Sequence, residues 1–70
     1  MTISKDDRVE WTWGRGTPSG RVTEILPERT IRIIKGSRIV RNGSPENPAV
    51  VIRMDDGGEV LKLASEVRLL

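Results

Sequence analysis

The apolar runs of this sequence are short, and each is cut off by a cluster of Gly, Pro, Asn or Asp. The clusters are Gly14-Arg15-Gly16-Thr17-Pro18-Ser19-Gly20, Asn42-Gly43-Ser44-Pro45-Glu46-Asn47-Pro48 and Asp55-Asp56-Gly57-Gly58. Short strands punctuated in this way are the signature of a small barrel or sandwich. The chain has 70 residues, enough for one domain. A chain of that size buries only about 60% of the surface its unfolded form exposes. It contains no cysteine and no histidine. Disulfides, thiolate zinc sites, Cys/His nucleophilic pairs and imidazole acid–base chemistry are therefore all unavailable. The hydrophobic core must hold the fold by itself.

The first strand reads Arg8-Val9-Glu10-Trp11-Thr12-Trp13, with Val9, Trp11 and Trp13 on one face. The glycine-rich stretch 14–20 is a loop. The second strand runs from Arg21 to Leu26, and its alternation slips between Val22 and Ile25, which predicts a bulge. Thr30 to Arg41 reads as a hairpin with Gly36-Ser37 as a type II′ turn. That register sets Ile34 opposite Ile39, Ile33 opposite Val40 and Arg32 opposite Arg41, the last an unfavourable like-charge pair. Val50–Met54 and Glu59–Leu63 form a further hairpin. An Asp-Gly turn pairs Ile52 with Leu61, a Gly-Gly turn pairs it with Leu63. Either register puts Val50, Ile52, Met54, Leu61 and Leu63 on one face. Ala64-Ser65-Glu66 is a single helical turn before a short last strand containing Val67 and Leu69.

The fold class expected is mostly β: a small SH3-like (Tudor-type) barrel of five to six short strands with one helical turn before the last strand. Closure would leave no bare strand edges. An OB-like barrel is the alternative, although it normally needs more residues and a longer helix. Residues 1–6 are expected to be a flexible N-terminus and 7–70 a single domain. One dry interior is expected to gather Val9, Trp11, Ile52 and Leu61.

No apolar run approaches the roughly 20 residues that span a bilayer. The opening residues have no signal-like apolar core, so a cytoplasmic location is the default expectation. The net charge is +2, unevenly spread. Residues 15 to 41 hold Arg15, Arg21, Arg29, Arg32, Lys35, Arg38 and Arg41 against Glu24 and Glu28, a local net of +5 that leaves −3 elsewhere. Such a region is either a solvated surface or an anion-binding face.

Several segments resemble a known family. Asp7-Arg8-Val9-Glu10-Trp11, Gly20-Arg21-Val22, Ser44-Pro45-Glu46-Asn47-Pro48, Gly58-Glu59-Val60 and the hydrophobic end are together similar to the hypervirulence-associated protein TUDOR-domain family. The resemblance spans roughly Lys5 to Leu70, and the Ser-x-Glu-Asn-Pro connection is its most specific element. Asp6 stands where many members have glycine, Ala49 where an aromatic usually follows Asn-Pro, and the late histidine of many members is missing. The resemblance implies a fold and an interaction role, without a known ligand.

A methyl-lysine or methyl-arginine reader needs a cage of several aromatic rings. Trp11 and Trp13 are the only aromatic residues, so no full cage can form. Gly14-Arg15-Gly16 lacks the following helix and lysine of a phosphate loop. Asp55, Asp56 and Glu59 fit no calcium loop, and a hairpin turn accounts for them. No metal, cofactor, membrane or small-molecule substrate is expected, nor is enzyme activity. The expected function is a binding module for a protein or peptide, with Trp13 as anchor. The alternative is binding to a nucleic-acid backbone through Arg15, Arg21, Arg32, Arg38 and Arg41.

Overall fold

The computed structural model describes residues 3–70, and Met1 and Thr2, part of the expected flexible terminus, lie outside the described residues. Seven strands follow one another: β1 (Arg8–Glu10), β2 (Ser19–Leu26), β3 (Arg29–Ile34), β4 (Ser37–Asn42), β5 (Ala49–Met54), β6 (Glu59–Leu63) and β7 (Arg68–Leu69). A 3₁₀ turn, Ala64–Glu66, precedes the last of them, where a helical turn is expected. Five strands form one antiparallel sheet in the order β6-β5-β2-β1-β7, and β3 and β4 form a separate two-stranded sheet. The chain is mostly β, with more strands than the five or six expected. No ladder joins the two sheets among the described residues, so a closed barrel is not found. The hairpin is held by side-chain packing instead.

That packing divides the core in two. Val9, Trp11, Val22, Val50, Ile52 and Val67 are buried together on the inner face of the large sheet, flanked by Ile3, Ile25, Met54, Val60 and Leu69. Ala49, Val51 and Leu61 are buried on its outer face, against Leu26 and, from the hairpin, Ile34 and Ile39. The single interior expected from the sequence is therefore corrected: Leu61 belongs to the outer cluster and Ile52 to the inner one. Antiparallel sheets commonly leave one face to water, but β5 has both faces covered, and Ala49 through Ile52 are each fully buried. Each large aliphatic side chain so buried is worth about 1.5–3 kcal/mol.

Neither expected hairpin register is found: in the first the turn sits one residue earlier, which moves every cross-strand partner by two, and in the second Ile52 pairs one residue away from its Asp-Gly partner and three from its Gly-Gly partner. The first turn is Lys35-Gly36, with φ of +52° and +78°, the two positive values of a type I′ turn. Ile34 therefore faces Ser37, Arg32 faces Ile39 and Thr30 faces Arg41. The like-charge pair Arg32/Arg41 does not form. Arg32 instead binds Glu24 (2.9 Å) and Arg41 binds Glu66 (3.2 Å), which gives the shifted register an electrostatic advantage. In the second hairpin, Ile52 faces Val60 and Val51 faces Leu61. Its loop is a turn closed by the Gly57 N–H on the Met54 carbonyl (2.9 Å), with Gly57 at φ +91° and the Met54 N–H on the Gly58 carbonyl (2.8 Å). This is a three-residue loop with a glycine bulge, a form neither two-residue turn allowed for. Leu61 and Leu63 thereby lie on the opposite face from Val50, Ile52 and Met54.

The bulge predicted in β2 is present. Val22 pairs with Ile52 and Glu24 with Val51, which leaves Thr23 as the extra residue. The shift keeps both Val22 and Ile25 on the inner face. Gly20 is required one step earlier, because a Cβ there would lie 2.6 Å from the Arg53 carbonyl oxygen and 2.7 Å from an Ile52 methyl. Residues 3–6 are tied to the sheet. The Asp6 N–H donates to the Val22 carbonyl (2.7 Å), and the Ser4 N–H to the Asp7 carboxylate (2.8 Å).

The connection Ser44–Pro48 is fastened to the 3₁₀ turn. The Asn47 amide donates to Ser65 Oγ (3.0 Å), and the Ser65 N–H donates to Asn47 Oδ1 (2.9 Å). The Ala64 N–H donates to the Pro48 carbonyl (2.8 Å). At the same turn, Glu66 Oε1 accepts from the Leu63 N–H (2.8 Å) and from Arg41 Nε (3.2 Å). Burial would raise the Glu66 carboxyl pKa, but the Leu63 N–H with the Arg41 and Lys62 charges outweighs it, so the pKa lies below its ordinary 4.5.

Two expectations follow. Leu61→Ala should cost about 2–5 kcal/mol in urea denaturation, whereas Ile33→Ala, at a position 67% exposed, should change stability by less than about 0.5 kcal/mol. Because the folded-state pKa of Glu66 is depressed, its contribution is present above 4.5 and fades as pH falls through the folded value. The urea midpoint should drop on acidification below that point, and Glu66→Gln should flatten this part of the pH profile.

Candidate functional site

β1 ends at Glu10, and the chain then leaves the ladder. The Trp11 N–H donates to the Pro18 carbonyl (3.1 Å), while Trp13 and Gly16 exchange two backbone hydrogen bonds (3.0 and 2.8 Å). The loop expected over 14–20 is a tight turn with Gly14 and Arg15 at its tip, and Ser19 and Gly20 already belong to β2. The two indoles separate in consequence. Trp11 is buried at 3% exposure and belongs to the inner core, whereas Trp13 stands 72% exposed.

Between them lies a groove of about 270 Å³ lined by Trp11, Trp13, Pro18, Met54, Val60 and Lys62. Trp11, Met54 and Val60 come from the inner face of the sheet and supply an apolar floor. Lys62 Nζ lies 5.9 Å from the centre of the Trp13 ring. A cation over an exposed indole contributes about 0.5–1 kcal/mol, and it holds the ring in place as a wall. The groove is smaller than the roughly 300–1,000 Å³ of ordinary small-molecule pockets. It can seat one or two side chains of a partner.

The arginines of residues 15–41 are not gathered into one patch. Arg15 is at the tip of the Trp13 turn, Arg21 is on the large sheet, and the others are on the hairpin. Arg32 and Arg41 face inward on the hairpin and are engaged by Glu24 and Glu66, while Arg38 pairs across to Ile33 on the other face. Arg15, Arg21 and Arg38 are exposed and make no ion pair among the described residues. Arg21 instead stands between Arg8 of β1 and Arg53 of β5, residues far from it in sequence. Neither of those was legible as a site residue, because the registers that align them are tertiary. Lys62, Met54, Val60 and Pro18 were missed for the same reason. The one sequence signal for the groove was Trp13 at a strand end beside a glycine turn.

A second hollow, of about 390 Å³, lies between Ile3, the Ser44–Pro48 connection and the 3₁₀ turn. Of its polar lining residues, Asn47 and Ser65 are bonded to each other and Glu46 is the remaining one. Among the described residues no group of three or more acidic side chains is placed to hold a metal ion, and no helix is long and apolar enough to cross a membrane.

Residues 6–67 match the family described as the hypervirulence-associated proteins TUDOR domain. No curated protein and no solved structure matches the chain. The matched span takes in β1 through the 3₁₀ turn and both faces of the large sheet. Asp7 to Trp11, Gly20 to Val22, the Ser44–Pro48 connection and Gly58 to Val60 all fall inside it. The chain belongs to the family of hypervirulence-associated protein TUDOR domains.

Proposed function

We propose that this chain is a non-enzymatic SH3-like, Tudor-type binding module whose domain is built on residues 7 to 70, with residues 3–6 tied to its sheet. It works in the cytoplasm and takes an extended peptide segment of a protein partner against Trp13. The family supports the coarser part of this reading, a small binding module, since TUDOR-type domains are generally non-catalytic. The SH3-like part draws support from the bulged β2, the 3₁₀ turn just before the last strand, and the return of β7 to pair with β1.

One observation carries the peptide reading. A large indole stands 72% exposed beside an apolar groove, in a chain whose other indole is buried. An exposed Trp contributes nothing to the core, yet Trp is the side chain that most often dominates binding energy. The wall and floor suit an aliphatic side chain, and Lys62 at the rim favours a carboxylate beside it. Because Lys62 already lies over the Trp13 ring, the groove is poorly suited to a cationic methylated side chain.

The test compares the wild-type chain with Trp13→Ala in capture of partners from lysate, with thermal unfolding measured in parallel. Unfolding should move by no more than about 1 kcal/mol, the scale of the lost cation–π contact. A partner held by the wild type should be lost by the variant, a weakening of at least about 2 kcal/mol, or roughly thirtyfold. Equal capture by both chains, or unfolding of Trp13→Ala, would contradict the reading.

A further inference from the structure

The hairpin covers only part of the outer face of the large sheet. It lies over Ala49, Val51 and Leu61. Beyond its reach the same face presents Arg8, Arg21 and Arg53, one on each of three adjacent strands and all exposed. The registers Arg8↔Arg21 and Arg21↔Arg53 set the three side by side. Directly opposed residues are about 5 Å apart at Cβ, so the row extends over about 10 Å. Like charges in that relation repel. A sheet that needed only to be stable gains nothing from them.

The carboxylates around the row satisfy one of its ends, Arg8, and neither its middle nor its other end. Asp55 holds Arg8 through two contacts (3.1 and 3.2 Å). Glu59 stands opposite Arg53 in register without an ion pair, and Glu10, next outward on β1, is taken by Arg68 (3.3 Å). Arg21 at the centre has no carboxylate partner among the described residues. From this we infer that the Arg8–Arg21–Arg53 row is a second binding surface, which takes the phosphodiester backbone of a nucleic acid.

Three points favour that ligand over an acidic protein. Guanidinium forks match phosphate oxygens two at a time. One strand of a nucleic acid carries a charge about every 3.4 Å along its axis, so a row of about 10 Å meets roughly three phosphates. The uncovered part of the face offers no aromatic ring, and the apolar hollow beside it lies at the hairpin edge, lined by Ile34, Ile39 and Leu61 and by none of the three arginines, so the row itself reads charge and spacing but not bases. The surface also lies on the opposite face of the sheet from the Trp13 groove, and the two can be broken separately.

The test is fluorescence anisotropy of a labelled mixed-sequence DNA duplex titrated with the full chain between about 50 and 200 mM salt. With three phosphate contacts, log K should fall against log salt with a slope of about −2.7. Arg21→Gln and Arg53→Gln should each reduce that slope by about one. Asp55→Asn, which releases Arg8, should tighten binding, and Trp13→Ala should leave it unchanged. Since Arg21 is exposed and repelled by its neighbours, Arg21→Gln should fold with an unchanged or higher melting temperature. Absence of binding at the lowest salt overturns the inference. So does binding that survives Arg21→Gln and Arg53→Gln but disappears with Arg29→Gln and Arg38→Gln, which would place the contact on the hairpin. Poly-glutamate that competes as well as unlabelled duplex, charge for charge, overturns it too.

Discussion

The structure depends on β5 being buried from both sides. Ala49-Val50-Val51-Ile52 contributes alternate side chains to two separate clusters, and all four are fully enclosed. In a chain without disulfides this is how 70 residues bury enough apolar surface. A single layer would leave Val51 and Leu61 in water. The hairpin β3–β4 is what removes them from it, and it does so by side-chain packing together with the ion pairs from Arg32 and Arg41. The remaining features serve this arrangement. The bulge at Thr23 keeps Val22 and Ile25 on the same side, Gly20 lets β2 approach β5, and the Asn47–Ser65 pair fixes the chain as it enters β5.

Because the hairpin is short, it cannot cover the whole outer face, and the uncovered part is where the charges collect. The same limit operates on the inner face. There the turn at Gly14-Arg15 carries Trp13 out of the core and leaves a groove above Trp11, Met54 and Val60. Both surfaces proposed for binding are thus places where a small two-sheet arrangement runs out of material to cover itself. An apolar groove with one cationic rim and a row of arginines are different chemistries, and they face opposite ways.

Much of this was legible from the sequence. Glycine and proline clusters marked the connections, the slip between Val22 and Ile25 marked the bulge, and Ala64–Glu66 marked the turn before the last strand. The double-sided burial of β5 had a signal as well: four apolar residues without alternation indicate a strand covered on both faces. Reading that run as one-faced is what merged the two cores. Each hairpin register failed for a local reason, the second because its loop is a three-residue turn with a glycine bulge and the first because of Lys35. Lys35 adopts a positive φ, which a lysine seldom does, so the glycine after it looked like the first turn residue when it is the second. The arginine row had no local signal at all, since its members lie on three strands that only the fold brings together.

Native-state hydrogen exchange tests the central claim most directly. If β5 is enclosed on both faces, the amides of Val50, Val51 and Ile52 should be among the slowest to exchange, opening only with global unfolding. Those of the hairpin, covered on one side, should exchange through smaller openings. Exchange of the β5 amides at hairpin rates would mean that the outer cluster is not a core, and the account built on it would fail.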